Sequence, residues 1–227
     1  MLLEVIVQSV ADAKEAEAGG ADRLEVVREI ERDGLTPALD LVRAIQSQVG
    51  LPLRVMVRES DGFGIADDRE LLTLQHAFAD LADLGVHGAV VGFARDGALD
   101  IPRLTSVLAV APGLPVTLHR AFDSVDDPEA AIEAALALPQ IDRILTSGGS
   151  GDWPARCRRL SAWAERAGPR ITILPGGGLD EDALQVLARC PALTEAHVGK
   201  AAREPQSSTA PVSAARVRHL KSLIPHR

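Results

Sequence analysis

The chain has 227 residues, a net charge of −8 and 46% hydrophobic residues, yet only 3% are aromatic and tyrosine is absent. With no block of clustered Lys or Arg, this balance excludes a nucleic-acid groove or an anionic membrane surface as the partner, and no apolar run approaches the ~18 residues of a membrane span. The two cysteines, Cys157 and Cys190, lie far apart with no CxxC or Cys/His spacing, which argues against a disulfide framework or a structural zinc site, and the first residues carry no basic leader, so a cytoplasmic protein is expected.

Along the chain a short apolar strand precedes each helical stretch, at a period of roughly 25–30 residues, the spacing that marks an internal repeat. Leu2–Val7 leads to a helix over Ser9–Gly19, Arg23–Val27 to Thr36–Val49, Leu53–Arg58 to Asp67–Leu84, and Ala89–Phe93 to Ile101–Val110. The second half repeats the scheme: Val116–Ala121 and Pro128–Leu138, Arg143–Thr146 and Trp153–Ala167, Arg170–Leu174 and Glu181–Cys190, Glu195–Val198 and Val212–Leu223. Ser9, Thr36, Asp100, Asp127, Asp152, Asp180 and Ser213 fall at or near helix starts, where short oxygen side chains satisfy free N–H groups. Alternating βα units imply a parallel sheet with right-handed crossovers, and eight of them close into a (β/α)8, TIM-barrel-like domain covering residues 1–227. An open doubly wound sheet is the alternative, but no GxGxxG follows the first strand.

In such a barrel the chemistry sits where strands end, so the residues delivered there define the candidate site. The fifth strand runs into His119, Arg120 and Asp123; on strand periodicity His119 shares a face with Thr117 and Ala121, and Arg120 the opposite face with Leu118 and Phe122. The third strand ends in Arg58, the sixth in Ser147 and Gly149, the seventh in Gly176, Gly177 and Gly178, and the eighth carries His197 before Gly199 and Lys200. The glycine turns after the last strands let backbone N–H groups approach a phosphate or another anion. Glu4 and Glu25, carboxylates inside apolar strands, must be paired there, with Arg58, Arg120, Lys200 or an imidazole as candidate partners. His119, Glu4 and Glu25 are the candidate catalytic groups for proton transfer, and the others the candidate binders. Asp22, Arg23, Asp142 and Arg143, just before strands, read as stability features of the opposite rim, and the polar stretches 59–64 and 203–211 as loops over the mouth, the latter mobile.

With these residues in view, the chain resembles the copper homeostasis protein CutC family over nearly its whole length. The likeness rests on Leu2-Leu3-Glu4, on Gly20 to Glu25 (GADRLE), on Gly34-Leu35-Thr36-Pro37, on Asp100-Ile101-Pro102-Arg103, on His119 to Asp123 (HRAFD), on Arg143 to Gly149 (RILTSGG) and on the glycines from Gly176. The resemblance implies a cytoplasmic TIM-barrel-like protein linked by name to copper, with no reaction assigned. It also ties copper to thiols near the first two strands and after the third. Here Ile6, Val7 and Val27 stand at those strand positions and no cysteine follows Arg58.

The reading that follows is a mouth pocket for a small anionic metabolite, phosphorylated ones included, with lyase- or isomerase-like acid/base chemistry if there is turnover. No residue is assigned as a metal ligand, and copper as a cofactor is implied by the resemblance alone. Two alternatives stay open: a copper-binding or buffering protein without turnover, and a non-catalytic homo-oligomeric scaffold.

Overall fold

The computed structural model describes residues 1–224. Eight parallel strands form one sheet: β1 (Leu2–Val7), β2 (Arg23–Val26), β3 (Leu53–Met56), β4 (Gly88–Val91), β7 (Val116–Leu118), β8 (Ile141–Thr146), β9 (Thr172–Pro175) and β10 (Glu195–Val198). Their order is β10-β1-β2-β3-β4-β7-β8-β9, and β9 lies against β10, so the sheet wraps into a nearly closed barrel. The helices α1 (Val10–Gly19), α2 (Leu39–Gln46), α3 (Asp68–Leu84), α4 (Ile101–Leu108), α5 (Pro128–Leu136), α6 (Trp153–Ala167), α7 (Glu181–Leu187) and α8 (Ala214–Ser222) follow the strands in turn. This is a TIM-barrel-like α/β fold. A short hairpin, β5 (Ala94–Arg95) with β6 (Ala98–Leu99), sits between β4 and α4 and interrupts the simple repeat.

Strand alternation separates two interiors. Along β1, Leu3, Val5 and Val7 are fully buried and belong to the large core shared with the helices. Glu4 and Ile6, on the other face, point into the barrel, which is how a parallel strand covered on both sides can carry a charge at all. The barrel interior is only partly apolar: Val27, Met56 and Val90 form a small cluster of their own, with Ile6 and Ile30 against it.

Deeper in the barrel, toward the strand starts, lies a charged layer. Arg54 makes a two-pronged ion pair with Asp142, with N–O distances of 3.0 and 2.6 Å, and Arg143 reaches Glu195 at 3.0 Å and Asp142 at 2.7 Å. Arg23 joins the same layer through Glu195. Planar guanidinium groups answering carboxylates in this way satisfy buried charges that would otherwise be intolerable. Arg23 is buried and Arg143 partly so, both paired in this layer at the strand starts; Asp22 sits at the rim, accepting from the Leu3 N–H at 2.6 Å and pairing with Lys221.

Local chemistry explains the helix starts. Ser9, Asp100, Asp127, Asp152, Asp180 and Ser213 each accept a hydrogen bond from a first-turn N–H. Thr36 is the exception, because α2 begins later, at Leu39, with no side-chain cap. The Thr36 hydroxyl instead accepts from the Arg58 N–H at 2.9 Å and donates to the Arg58 carbonyl at 3.0 Å, fixing the end of the third strand.

Two expected loop and thiol features come out differently. The stretch 203–211 is tied down at its two ends, with 204–206 exposed between them: Arg203, 1% exposed, donates to the carbonyls of Ile6 and Ala210 and pairs with Asp12 at 3.3 Å. Cys157 on α6 and Cys190 just beyond α7 are joined in a disulfide, with Cα atoms 6.9 Å apart, because the two helices pack side by side. Sequence distance hid that proximity.

Candidate functional site at the barrel mouth

The strand register builds the first part of the site. Glu4 lies opposite His197 of β10 on one side and Arg23 of β2 on the other, while Glu25 lies opposite Ile6, one inward position nearer the mouth. All four polar side chains are at most 5% exposed. One Glu4 oxygen is 2.7 Å from His197 Nδ1 and the other pairs with Arg23. His197 Nε2 then lies 3.7 Å from Glu25 Oε2. The result is a continuous chain, Arg23–Glu4–His197–Glu25, running from the charged layer toward the mouth.

Electrostatics give the members different protonation states. Burial works against a Glu4 carboxylate, but Arg23 and His197 outweigh it and hold its pKa well below the usual range. Burial likewise opposes an imidazolium at His197, yet Glu25 and Glu4 raise its pKa. Glu25 has no arginine in contact; burial and the Glu4 charge push its pKa up to about 7, against the pull of His197 and Arg23. Its Oε1 is buried with no hydrogen-bond partner. A carboxyl group that titrates near neutrality is suited to take and return a proton.

The second part comes from the end of β7. The strand stops at Leu118, and residues Arg120–Ser124 form a 3-10 turn capped by His119, whose Nδ1 accepts from the Ala121 N–H at 3.1 Å. This turn overturns the expected alternation, since both His119 and Arg120 line the mouth cavity. Burial, with the Arg58 and Arg120 charges added, pushes the His119 pKa down to about 3. The ring is therefore neutral at physiological pH, and with Nδ1 accepting, the proton resides on Nε2, which is buried without a partner. Phe63, from the loop after the third strand, packs on the His119 ring with centroids 5.4 Å apart. Arg58 covers the Phe63 ring at 5.6 Å and donates to the carbonyls of Arg32, Gly34 and Gly62.

These residues surround one cavity of about 420 Å³ at the C-terminal ends of the strands, where this fold places its sites. Of the residues singled out in the sequence, Glu25, Arg58, His119, Arg120, Gly177, Gly178, His197, Gly199 and Lys200 line it. Arg120 leans on Asp123 at 3.0 Å and Asp33 at 3.5 Å, and Lys200 has no ion-pair partner among the described residues. Glu4 stands behind His197 and does not reach the cavity. Asp123, Ser147 and Gly149 form a supporting knot: Asp123 accepts from the Thr146 hydroxyl at 2.5 Å and the Ser147 N–H at 3.1 Å, and Ser147 Oγ accepts from the Gly149 N–H at 3.2 Å. That knot anchors the turn carrying Arg120 through Asp123, and its three residues lie outside the cavity lining.

The glycine run has a steric reason. A Cβ on Gly176 would lie 2.5 Å from Leu145 Cδ1 and 3.1 Å from the His197 ring, so any side chain there would push Leu145 aside and crowd the histidine. Gly177, at φ +74°, would place a Cβ 3.3 Å from the Arg120 Nε. Pattern reading alone missed Arg23, Asp33, Phe63 and Gln206, the last three of which line the cavity. The GADRLE stretch could have pointed to Arg23, because its spacing from Glu25 is that of two residues on one strand face. Nothing local announces Phe63.

Among the described residues, Glu4, Glu25 and His197 are the one grouping with metal-ligand geometry, their nearest atoms within 4.8 Å of one another. They are oxygen and imidazole donors, and both Glu4 oxygens are already engaged by Arg23 and His197. Cu(I) prefers thiolates and thioethers. The only cysteines are joined to each other, Cys157 on α6 and Cys190 just beyond α7, and the positions that the resemblance ties to thiols, Ile6 and Val27, form an apolar wall of the cavity. The residues present do not fit a Cu(I) site.

Comparison with known proteins places this architecture. The CutC family model matches residues 1–202. The chain is 38% identical over 198 residues to the human copper homeostasis protein cutC homolog, covering 86% of this chain and 72% of that protein. It is 36% identical over 198 residues to a family protein CutC of Agrobacterium fabrum, covering 87% and 78%. A crystal structure of CutC from Streptococcus agalactiae superposes with a TM-score of 0.79 at 24% identity, over 88% of this chain and 98% of that one. Orotidine 5′-phosphate decarboxylase of Pyrococcus horikoshii shares the fold at a TM-score of 0.65 and 15% identity, over 98% and 99%. No helix among the described residues is long and apolar enough to cross a membrane. The chain belongs to the CutC family, whose relatives carry the name of copper homeostasis proteins.

Proposed function

We propose that this CutC-family barrel binds a small anionic metabolite, phosphorylated or carboxylated, in the mouth cavity and performs acid/base chemistry on it. The supporting observation is the convergence of Arg58, Arg120 and Lys200 with a buried, neutral His119 on one cavity whose floor holds Glu25. Cations of this kind attract an anion over the distance of a Debye length, and the glycines leave room for it at the backbone. The copper reading borrowed from the relatives' names lacks a soft donor set at this cavity. The scaffold reading requires an apolar surface, and the exposed large hydrophobics among the described residues are Leu72 and Val110.

Thermal unfolding with inorganic phosphate, glycerol 3-phosphate and small carboxylates tests the reading. A ligand at about 100 times its Kd adds roughly 2.7 kcal/mol, or about 5–10 °C for a chain of this size. The expected result is such a shift with at least one anion, shrinking in Arg120→Ala and Lys200→Ala. No shift with any of them, or a shift untouched by both substitutions, counts against the proposal.

A further inference from the structure

Two residues of the cavity lining, Glu25 and His119, each carry a buried polar atom with no partner within the protein, and the two atoms are chemical opposites. Glu25 Oε1 is a free acceptor on a residue 2% exposed, and His119 Nε2 is a free N–H donor on a residue 3% exposed. A buried donor or acceptor left unmet destabilises the fold, so a pair of them at one cavity is retained at a cost that a complementary ligand would remove. The ligand must offer the histidine an oxygen acceptor and offer the carboxylate an acidic hydrogen. The cations near His119, Arg58 and Arg120, favour negative charge building on that oxygen.

We infer that the site enolises a carbonyl compound, with Glu25 as the base that removes a proton from the carbon next to the carbonyl and His119 Nε2–H as the donor to the carbonyl oxygen. The inference rests on the anionic-metabolite reading above and adds the substrate class: a phosphorylated or carboxylated aldehyde or ketone with a hydrogen on the adjacent carbon. In the step, the Glu25 carboxylate takes the proton, the C–H pair becomes the C=C bond of an enolate, and the carbonyl π pair moves onto the oxygen facing His119. Return of the proton from the Glu25 carboxylic acid to carbon regenerates carbonyl and base, and nothing else is consumed. His119 keeps its proton throughout, because the Ala121 N–H occupies Nδ1 and a neutral imidazole stays a donor at Nε2.

The rest of the machinery then has a defined place. His197, held by Glu4, and through it Arg23, is a positioning residue that faces one Glu25 oxygen and leaves the other without a partner. The apolar wall of Ile6, Val27 and Met56 keeps water from the carboxyl group.

The test is proton exchange followed by NMR in D₂O, with dihydroxyacetone phosphate and pyruvate as the carbonyl probes and glycerol 3-phosphate as the carbonyl-free control. The expected result is deuterium entry beside the carbonyl, well above the rate without protein. The rate should fall about 10²–10⁴-fold in Glu25→Gln and about 10²–10³-fold in His119→Phe. His119→Gln, which retains a donor, should recover part of the loss while matching the folded stability of His119→Phe. If the probes and glycerol 3-phosphate raise the melting temperature but no exchange occurs, enolisation is wrong and anion binding stands. If none of them binds, both ideas fall; exchange that survives Glu25→Gln removes Glu25 as the base.

Discussion

Glu4 Oε1 lies 2.7 Å from His197 Nδ1, across the β1–β10 register, while the other Glu4 oxygen is claimed by Arg23 of β2. One fully buried carboxylate thus answers an arginine and a histidine on neighbouring strands. Removing its charge would leave Arg23 with Glu195 alone and His197 without its Nδ1 partner, and losing one member of a buried pair costs roughly 3–5 kcal/mol. Glu4→Gln should lower the unfolding free energy by that amount in denaturant titration and drop the His197 pKa, followed by its ring proton shifts. An unchanged midpoint and an unchanged histidine titration would show that the two contacts carry no net energy.

Glu25 makes stability depend on pH in a defined direction. Its folded pKa, raised to about 7 by burial, lies above the value of an exposed glutamate, so its protonated form favours the native state. That contribution is present below about pH 4.5 and is lost as pH rises through about 7, because the unfolded chain ionises first. Glu25→Gln should therefore gain on the wild type between pH 5 and pH 8, by an amount on the order of 3 kcal/mol. Urea unfolding of both proteins at the two pH values measures it, and a pH-independent difference would mean that Glu25 is not held protonated.

Copper behaviour follows from donor chemistry. The mouth cavity offers oxygen, imidazole and one thioether, Met56, while the thiols lie on α6 and just past α7. In an anaerobic titration against a chromogenic Cu(I) chelator, the oxidised protein should take up no stoichiometric Cu(I). Any uptake after reduction should vanish in Cys157→Ser and persist in Glu25→Gln. Tight binding that depends on Glu25 and His197 instead would place copper in the cavity and reverse the assignment. The same disulfide closes a loop 33 residues apart in sequence, a constraint of roughly 3–4 kcal/mol on the unfolded chain.

Much of the barrel was legible because its signals are local. The helix-start carboxylates and hydroxyls at Ser9, Asp100, Asp127, Asp152, Asp180 and Ser213 cap within a single turn, and the apolar runs between them needed no distant information. The cavity could be approximated because strand ends converge at one rim of this fold, which brought His119, Arg120, Gly177 and Lys200 into one list. What stayed hidden depends on register and on chain geometry off the strands. Arg23 looks like a rim residue until β1 is set beside β2, when it meets Glu4. Strand periodicity sent His119 and Arg120 to opposite faces, but it does not extend past Leu118, where the ring nitrogen of His119 caps a tight turn. Phe63 reaches the site from a polar loop, and Cys157 meets Cys190 through helix packing. None of these contacts leaves a periodic trace.

The most direct test of the central claim, an anion-binding cavity at this mouth, is a crystal soaked in tungstate, whose anomalous scattering locates a phosphate-like anion without reference to the surrounding density. The account predicts a peak inside the cavity within hydrogen-bonding reach of His119 Nε2, Arg120 or Lys200, absent from Arg120→Ala crystals soaked alongside. Tungstate found only on the outer surface, with the cavity free of it at saturating concentration, would contradict the claim.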